Sequence, residues 1–164
     1  MITAYIGLGS NQGGPRAQID QAFAELDGLP ATRLAARSPL YRSAPIDAPG
    51  QYDFVNAVAA VETELSAAQL LEALQAIESR HGRERNYRNA PRTLDLDLLL
   101  YDDLQMRDGK LVLPRDEITR YAFVLRPLAE LAPDVRHPVS GRTYAALWRD
   151  FAAEGQDLWP VELD

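Results

Sequence analysis

Asp95 and Asp97 stand two residues apart in the run Leu-Asp-Leu-Asp-Leu-Leu-Leu-Tyr at 94–101. Apolar and acidic residues alternate there, which is the period of a strand with one buried face. A strand rises about 3.3 Å per residue, so both carboxylates leave one side with Cα atoms roughly 6–7 Å apart. Leu94, Leu96 and Leu98 then face the core. Two carboxylates on a rigid element suit a hard cation such as Mg²⁺, which takes oxygen ligands and keeps positions for phosphate. A half-solvated strand with acidic outward positions accounts for the same spacing. The preceding residues favour the metal. Arg80, Arg83, Arg85, Arg88 and Arg92 crowd into 80–92, with Glu84 the one carboxylate among them. Guanidinium groups beside a metal-binding pair are what polyphosphate chemistry needs. Taken alone, the same run reads as a solvated loop.

Phe54 and Asn56 share a strand face, and an aromatic plane beside an amide could hold a flat heteroaromatic ring. Core packing of Phe54 and an edge role for Asn56 explain them without a ligand, and Phe123, between Ala122 and Val124, reads the same way. Gly7-Leu8-Gly9-Ser10-Asn11 lacks the Gly-Lys-Ser/Thr of a P-loop and the dinucleotide spacing. A tight strand-to-helix turn explains its glycines. His81 and His137 are isolated, and no Ser-His-Asp set is visible.

These residues need elements to hold them. Alternation predicts strands over 2–9 and 54–63, where Phe54, Asn56 and Val58 oppose Val55, Ala57, Ala59 and Val61. Residues 32–42 read as a strand that Pro39 confines to an edge or bends. Pro15 and the spacing of Ile19, Ala22, Phe23 and Leu26 predict a helix ended by Gly28-Leu29-Pro30. Ser66 and Gln69 form a capping box ahead of Leu70, Leu74 and Ile77, a second helix ending near Gly82. Residues 43–52 and 83–93 read as loops, 109–113 as a short returning strand, and 120–151 as mainly helical, broken by Pro127, Pro133 and Pro138. The order is strand, helix, strand, strand, helix, strand. That is the βαββαβ pattern of a ferredoxin-like α+β sandwich with additional C-terminal helices and short strands. Two helices would cover one face of an antiparallel sheet and leave the other for ligands or the tail.

The 164 residues suit one domain, 1–164. A net charge of −7 argues against a general nucleic-acid or anionic-membrane binder. Cysteine is absent, which excludes disulfides, thiol catalysis and Cys-based metal sites. No apolar run reaches the roughly 20 residues of a membrane span, and no basic n-region opens the chain; the expectation is a cytoplasmic monomer.

Several segments resemble one family in order: 4–11 (Ala-Tyr-Ile-Gly-Leu-Gly-Ser-Asn), 41–45 (Tyr-Arg-Ser-Ala-Pro), 54–57 (Phe-Val-Asn-Ala), 82–85 (Gly-Arg-Glu-Arg), 88–99 with its Pro-Arg-Thr-Leu-Asp-Leu-Asp core, 122–128 and 132–133. The chain resembles the 6-hydroxymethyl-7,8-dihydropterin pyrophosphokinases of folate biosynthesis. The resemblance implies transfer of the β,γ-pyrophosphoryl group of ATP to the pterin's hydroxymethyl group, giving AMP. It implies that Asp95 and Asp97 hold two Mg²⁺ ions, and that Arg83 and Arg92 stabilise the transferring group. Gln75, Glu78, Arg85, Arg88, Leu98, Lys110, Arg115 and Arg120 fall on the nucleotide side. Phe54 and Phe123 would sandwich the pterin, Asn56 would read its polar edge, and Ser43, Pro45 and Ile46 would complete the pocket. Loops 43–52 and 83–92 would act as lids.

The chain departs from the family pattern at Arg115, where His is usual, at Asp116, and at Tyr121, where an arginine is usual but Arg120 is adjacent. Asn89-Ala90 replaces a common Trp-Gly. These positions bear on nucleotide contacts. Two other readings stay open at this stage: a non-catalytic ferredoxin-like module that binds a small molecule without metal, and a relative with an altered substrate.

Overall fold

The computed structural model describes residues 1–11, 14–44, 53–83 and 94–161. The elements are β1 (Ile2–Ser10), α1 (Pro15–Asp27), β2 (Thr32–Arg37), β3 (Tyr41–Ser43), β4 (Phe54–Thr63), α2 (Ala67–Glu78), β5 (Asp95–Tyr101), β6 (Met106–Asp108), β7 (Leu111–Leu113), α3 (Ala122–Leu131), α4 (Tyr144–Arg149) and β8 (Leu158–Pro160). The main sheet runs β5-β1-β4-β3-β8, with β2 also paired to β4. The pairings are antiparallel. This is the α+β ferredoxin-like arrangement that the element order implies.

Local chemistry sets most boundaries. Pro15 opens α1, where a missing N–H costs nothing. Ser66 Oγ accepts from Gln69 N at 3.1 Å and Gln69 Oε1 from Ser66 N at 2.9 Å, the reciprocal box that starts α2. Pro39 lies between β2 and β3, which pair with successive stretches of β4. The single strand expected over 32–42 is therefore two, divided where proline cannot join a ladder.

Alternation along β1, β4 and β5 divides the sheet into two faces. Ala4, Ile6, Leu8, Ala57, Ala59, Val61, Leu96 and Leu98 pack with Ile19, Phe23 and Leu26 of α1 and Leu70, Leu74 and Ile77 of α2. The opposite face carries Val58, Leu99 and Leu100 against Val124, Leu125 and Leu128 of α3. A register shift explains why adjacent Leu99 and Leu100 join one cluster. Ile6 pairs with Leu98 and Tyr5 with Leu100, so Leu99 is the extra residue of a β-bulge.

Three expectations change. Gly7 and Gly9 lie inside β1, not in the turn after it. Pro127 sits within α3 without ending it. Its missing N–H removes one helical bond, and the buried stripe of Val124, Leu125, Leu128 and Ala129 holds the helix across that gap. The tail is less helical than expected. Between 120 and 151 the helices are α3 and the short α4, and past them β8 extends the main sheet along β3, whereas the short strand expected over 109–113 does form, Leu111–Leu113 pairing with β6 as a hairpin.

Candidate active site

The register of β5, β1, β4 and β3 builds the site row by row. Gly9 lies opposite Asp95 on one side and Asn56 on the other, and Asn56 lies opposite Tyr41. Gly7 lies between Asp97 and Val58 in the same way. Both carboxylates therefore look across a strip of sheet that has no side chains. A Cβ at Gly9 would stand 3.5 Å from Asn56 Oδ1, and one at Gly7 3.4 Å from the Leu99 methyls. The strip is the floor of a cavity of about 650 Å³.

That cavity collects most of the residues singled out from sequence. Gln75 and Glu78 border it beyond the β5 edge, Asp95 and Asp97 line it centrally, and Lys110 and Arg115 reach it from the β6–β7 region. At the other end stand Ser43, Phe54, Asn56 and Phe123. Leu98 is absent from the lining; its side chain is buried in the helix-covered core. Arg120 lines a separate shallow cavity of about 390 Å³. Pro45, Ile46, Arg85, Arg88 and Arg92, like both expected lids apart from their first residues, lie outside the described residues, as does the Arg83 side chain.

Hydrogen bonds hold both ends in shape. Glu78 is a buried carboxylate, and its Oε2 accepts the Leu96 N–H at 2.9 Å. It thus fixes the outer edge of β5 midway between the aspartates, where no further strand among the described residues supplies an acceptor. Asn56 is buried and donates through Nδ2 to Ser43 Oγ at 2.8 Å. That bond sets the amide plane at the aromatic end. Tyr41 donates to the Glu130 carboxylate on α3, with the Arg126 guanidinium 4.7 Å over its ring. Burial, then the Glu130 carboxylate, pushes its phenol up to about 12, so it keeps the proton it donates.

The central cation is also pre-set. Arg115 donates to both Glu117 oxygens, Nε at 2.9 Å and Nη2 at 3.1 Å. Its Nη2 lies 3.9 Å from Asp97 Oδ1. A forked ion pair removes rotamer freedom and aims the guanidinium along the floor. Among the described residues, no group of three or more His, Cys, Asp or Glu could enclose a metal. The donor set is two carboxylates on one face of β5, which fits a cation that also draws ligands from phosphate and water.

Sequence reasoning missed Gly7 and Gly9 as floor, although they sit on the parity of β1 opposite Ile6 and Leu8. It also missed Glu117, since a carboxylate two residues from an arginine is no signal by itself. Tyr121 was a departure from the expected arginine; here it lines the cavity and stacks on Phe123 with centroids 5.2 Å apart.

The sequence profile of the 7,8-dihydro-6-hydroxymethylpterin-pyrophosphokinase (HPPK) family matches residues 5–133. A 2-amino-4-hydroxy-6-hydroxymethyldihydropteridine pyrophosphokinase of Pseudomonas aeruginosa is 47% identical over 156 residues, covering 95% of this chain and 96% of that one. The enzyme of the same name from Haemophilus influenzae is 44% identical over 140 residues, covering 85% of this chain and 88% of that one. In fold, the chain is similar to wild-type Plasmodium falciparum HPPK-DHPS, with a TM-score of 0.71 at 14% identity. That match covers 90% of this chain and 44% of the longer Plasmodium chain. With its profile match and full-length relatives, the chain belongs to the 7,8-dihydro-6-hydroxymethylpterin-pyrophosphokinase family.

Proposed function

We propose that the chain transfers pyrophosphate from ATP to the hydroxymethyl group of 6-hydroxymethyl-7,8-dihydropterin, in the synthesis of folate. One observation carries this reading. A single cavity joins the carboxylate pair of β5 to an end walled by Phe54, Asn56 and Phe123. The first suits a metal-bound polyphosphate and the second a flat heterocycle with a polar edge.

In this reading the pterin lies between Phe54 and Phe123, with Asn56 and Ser43 at its edge. Gln75, Glu78, Lys110 and Arg115 face the nucleotide. Arg83, Arg85, Arg88 and Arg92 supply positive charge to the phosphates, Leu98 contributes through its main chain, and Arg120 stands at the margin. Pro45 and Ile46 complete the pterin side. Asp95 and Asp97 would hold two Mg²⁺ ions, which neutralise phosphate charge and lower the cost of bringing a hydroxyl to phosphorus. The hydroxymethyl oxygen bonds to the β-phosphorus. The bond from that phosphorus to the α,β-bridging oxygen breaks, its electron pair leaves on AMP, and the hydroxyl proton is released to water. The protein's share is alignment of the two substrates across the glycine floor and a fixed positive field. The active unit in this reading is a single-domain monomer.

An end-point assay with ATP, Mg²⁺ and the pterin tests this. AMP that forms only with pterin and metal present is the expected result. ADP would mean transfer of one phosphoryl group, and product without metal would remove the role given to the aspartates.

A further inference from the structure

The C-terminal segment touches both walls of the aromatic end of the cavity without lining it. Tyr121 stands at the N-cap of α3 and makes no side-chain cap. The first amides of a helix need an acceptor from elsewhere. Gln156 provides it, its Oε1 accepting the Ala122 N–H at 2.9 Å. Its Nε2 donates to the Arg120 carbonyl at 3.2 Å. One side-chain amide thus brackets Tyr121 on both sides in sequence, as a neighbouring strand would. Tyr121 stacks on Phe123, and both line the cavity.

Two residues later the chain becomes β8 and runs along β3, Leu158 opposite Ser43 and Pro160 opposite Tyr41. Val161 N–H donates to the Leu40 carbonyl at 2.9 Å, and the Arg42 guanidinium lies 5.2 Å over the Trp159 ring. Ser43 is the residue that holds the Asn56 amide. A second tie between β3 and α3, from Tyr41 to Glu130, meets the helix near its other end, about two turns away. It leaves the first turn of α3 to Gln156.

We propose that Gln156 is a positioning residue for the pterin end of the cavity, and that residues 156–161 strap its two walls at a fixed separation. The strap rests on the pterin reading of that end and adds a distant determinant to it. Its effect falls on one substrate, because the nucleotide end is built from α2, β5 and the β6–β7 region.

Gln156→Met keeps the length of the side chain and loses both hydrogen bonds. The KM for the pterin, and its Kd by fluorescence titration, rise about five- to tenfold. The KM for ATP stays within about twofold, as expected for a change that spares its contacts. Gln156→Glu restores the acceptor for Ala122 N–H and recovers part of the loss. Val161→Pro removes the donor at the other anchor and moves the pterin constants in the same direction. Equal rises in both KM values overturn the proposal, as does unchanged pterin affinity in a variant that merely melts earlier. The outcomes stay separable from the functional reading. Wild-type protein that binds pterin and makes no AMP sinks the reaction alone, and the titrations still test the strap.

Discussion

The two faces of the central sheet are made from the same strands and do opposite work. Ile6, Leu8, Ala59, Leu96 and Leu98 look toward α1 and α2 in a closed apolar layer. Gly7, Gly9, Asn56, Asp95 and Asp97, one residue out of phase, look into the cavity beside α3. A period of two makes this division obligatory, since shifting any strand by one residue would put carboxylates in the core. The closed face carries the stability, and the open face is released from packing to carry chemistry. The bulge at Leu99 marks where the second role stops: beyond it, Leu99 and Leu100 return the open face to packing against α3.

Paired truncations give the sharpest way to break this contrast. Asp97→Ala is expected to lower kcat by about a thousandfold or more, since a metal and phosphate clamp is lost. Its unfolding free energy should stay within about 0.5 kcal/mol of wild type, because the side chain is half exposed. Ile6→Ala, across the same strand pair, should cost about 3 kcal/mol in urea unfolding. The folded fraction should keep its turnover. A large stability loss in the first variant, or a dead but stable second one, would dissolve the division of labour.

Gly9→Val probes the floor itself. Its methyls would fill the strip between Asp95 and Asn56, where even a Cβ would stand 3.5 Å from the amide oxygen. Substrate affinity should fall about 10- to 200-fold with little loss of stability, since valine suits a strand. Unchanged KM values would mean that neither substrate crosses the β1 glycines.

The smallest effect concerns the support behind the open face. His137 packs edge-on to Tyr144, and its Nδ1 accepts from Val139 N at 3.2 Å and Ser140 N at 3.3 Å. Burial holds it below the ordinary imidazole range. The unfolded chain, near 6.5, therefore takes up a proton that the folded chain resists. The stability from neutral His137 is complete above pH about 6.5. It declines as the pH falls toward the lowered native value. Urea unfolding between about pH 7 and 5 should show a shallower decline in His137→Gln than in wild type. Identical slopes would remove His137 as a contributor.

Much of this was legible beforehand because it is local. The capping box at Ser66 and Gln69, the Pro15 helix start and the period-two runs all depend on near neighbours. The Asp95 and Asp97 pair was visible for the same reason. Pro127 misled because helix breaking is a local penalty that packing of α3 on the sheet overrides. Gly7 and Gly9 misled because glycine means a turn in isolation, whereas here it leaves room between two strands. Arg115 gains its aim from Glu117, and Tyr121 its place from Gln156, through contacts that composition does not encode.

The sequence by itself determined most of the element order, the phase of β1, of β4 and of β5 up to its bulge, and the family, since alternation, caps and ordered motifs are properties of the chain in one dimension. Only the tertiary structure decided which residues of different strands meet. Register set Gly9 between Asp95 and Asn56, and the return of β8 along β3 brought Gln156 to the first turn of α3. Those pairings are chosen by burial and hydrogen bonding summed over the whole fold, which no single segment contains.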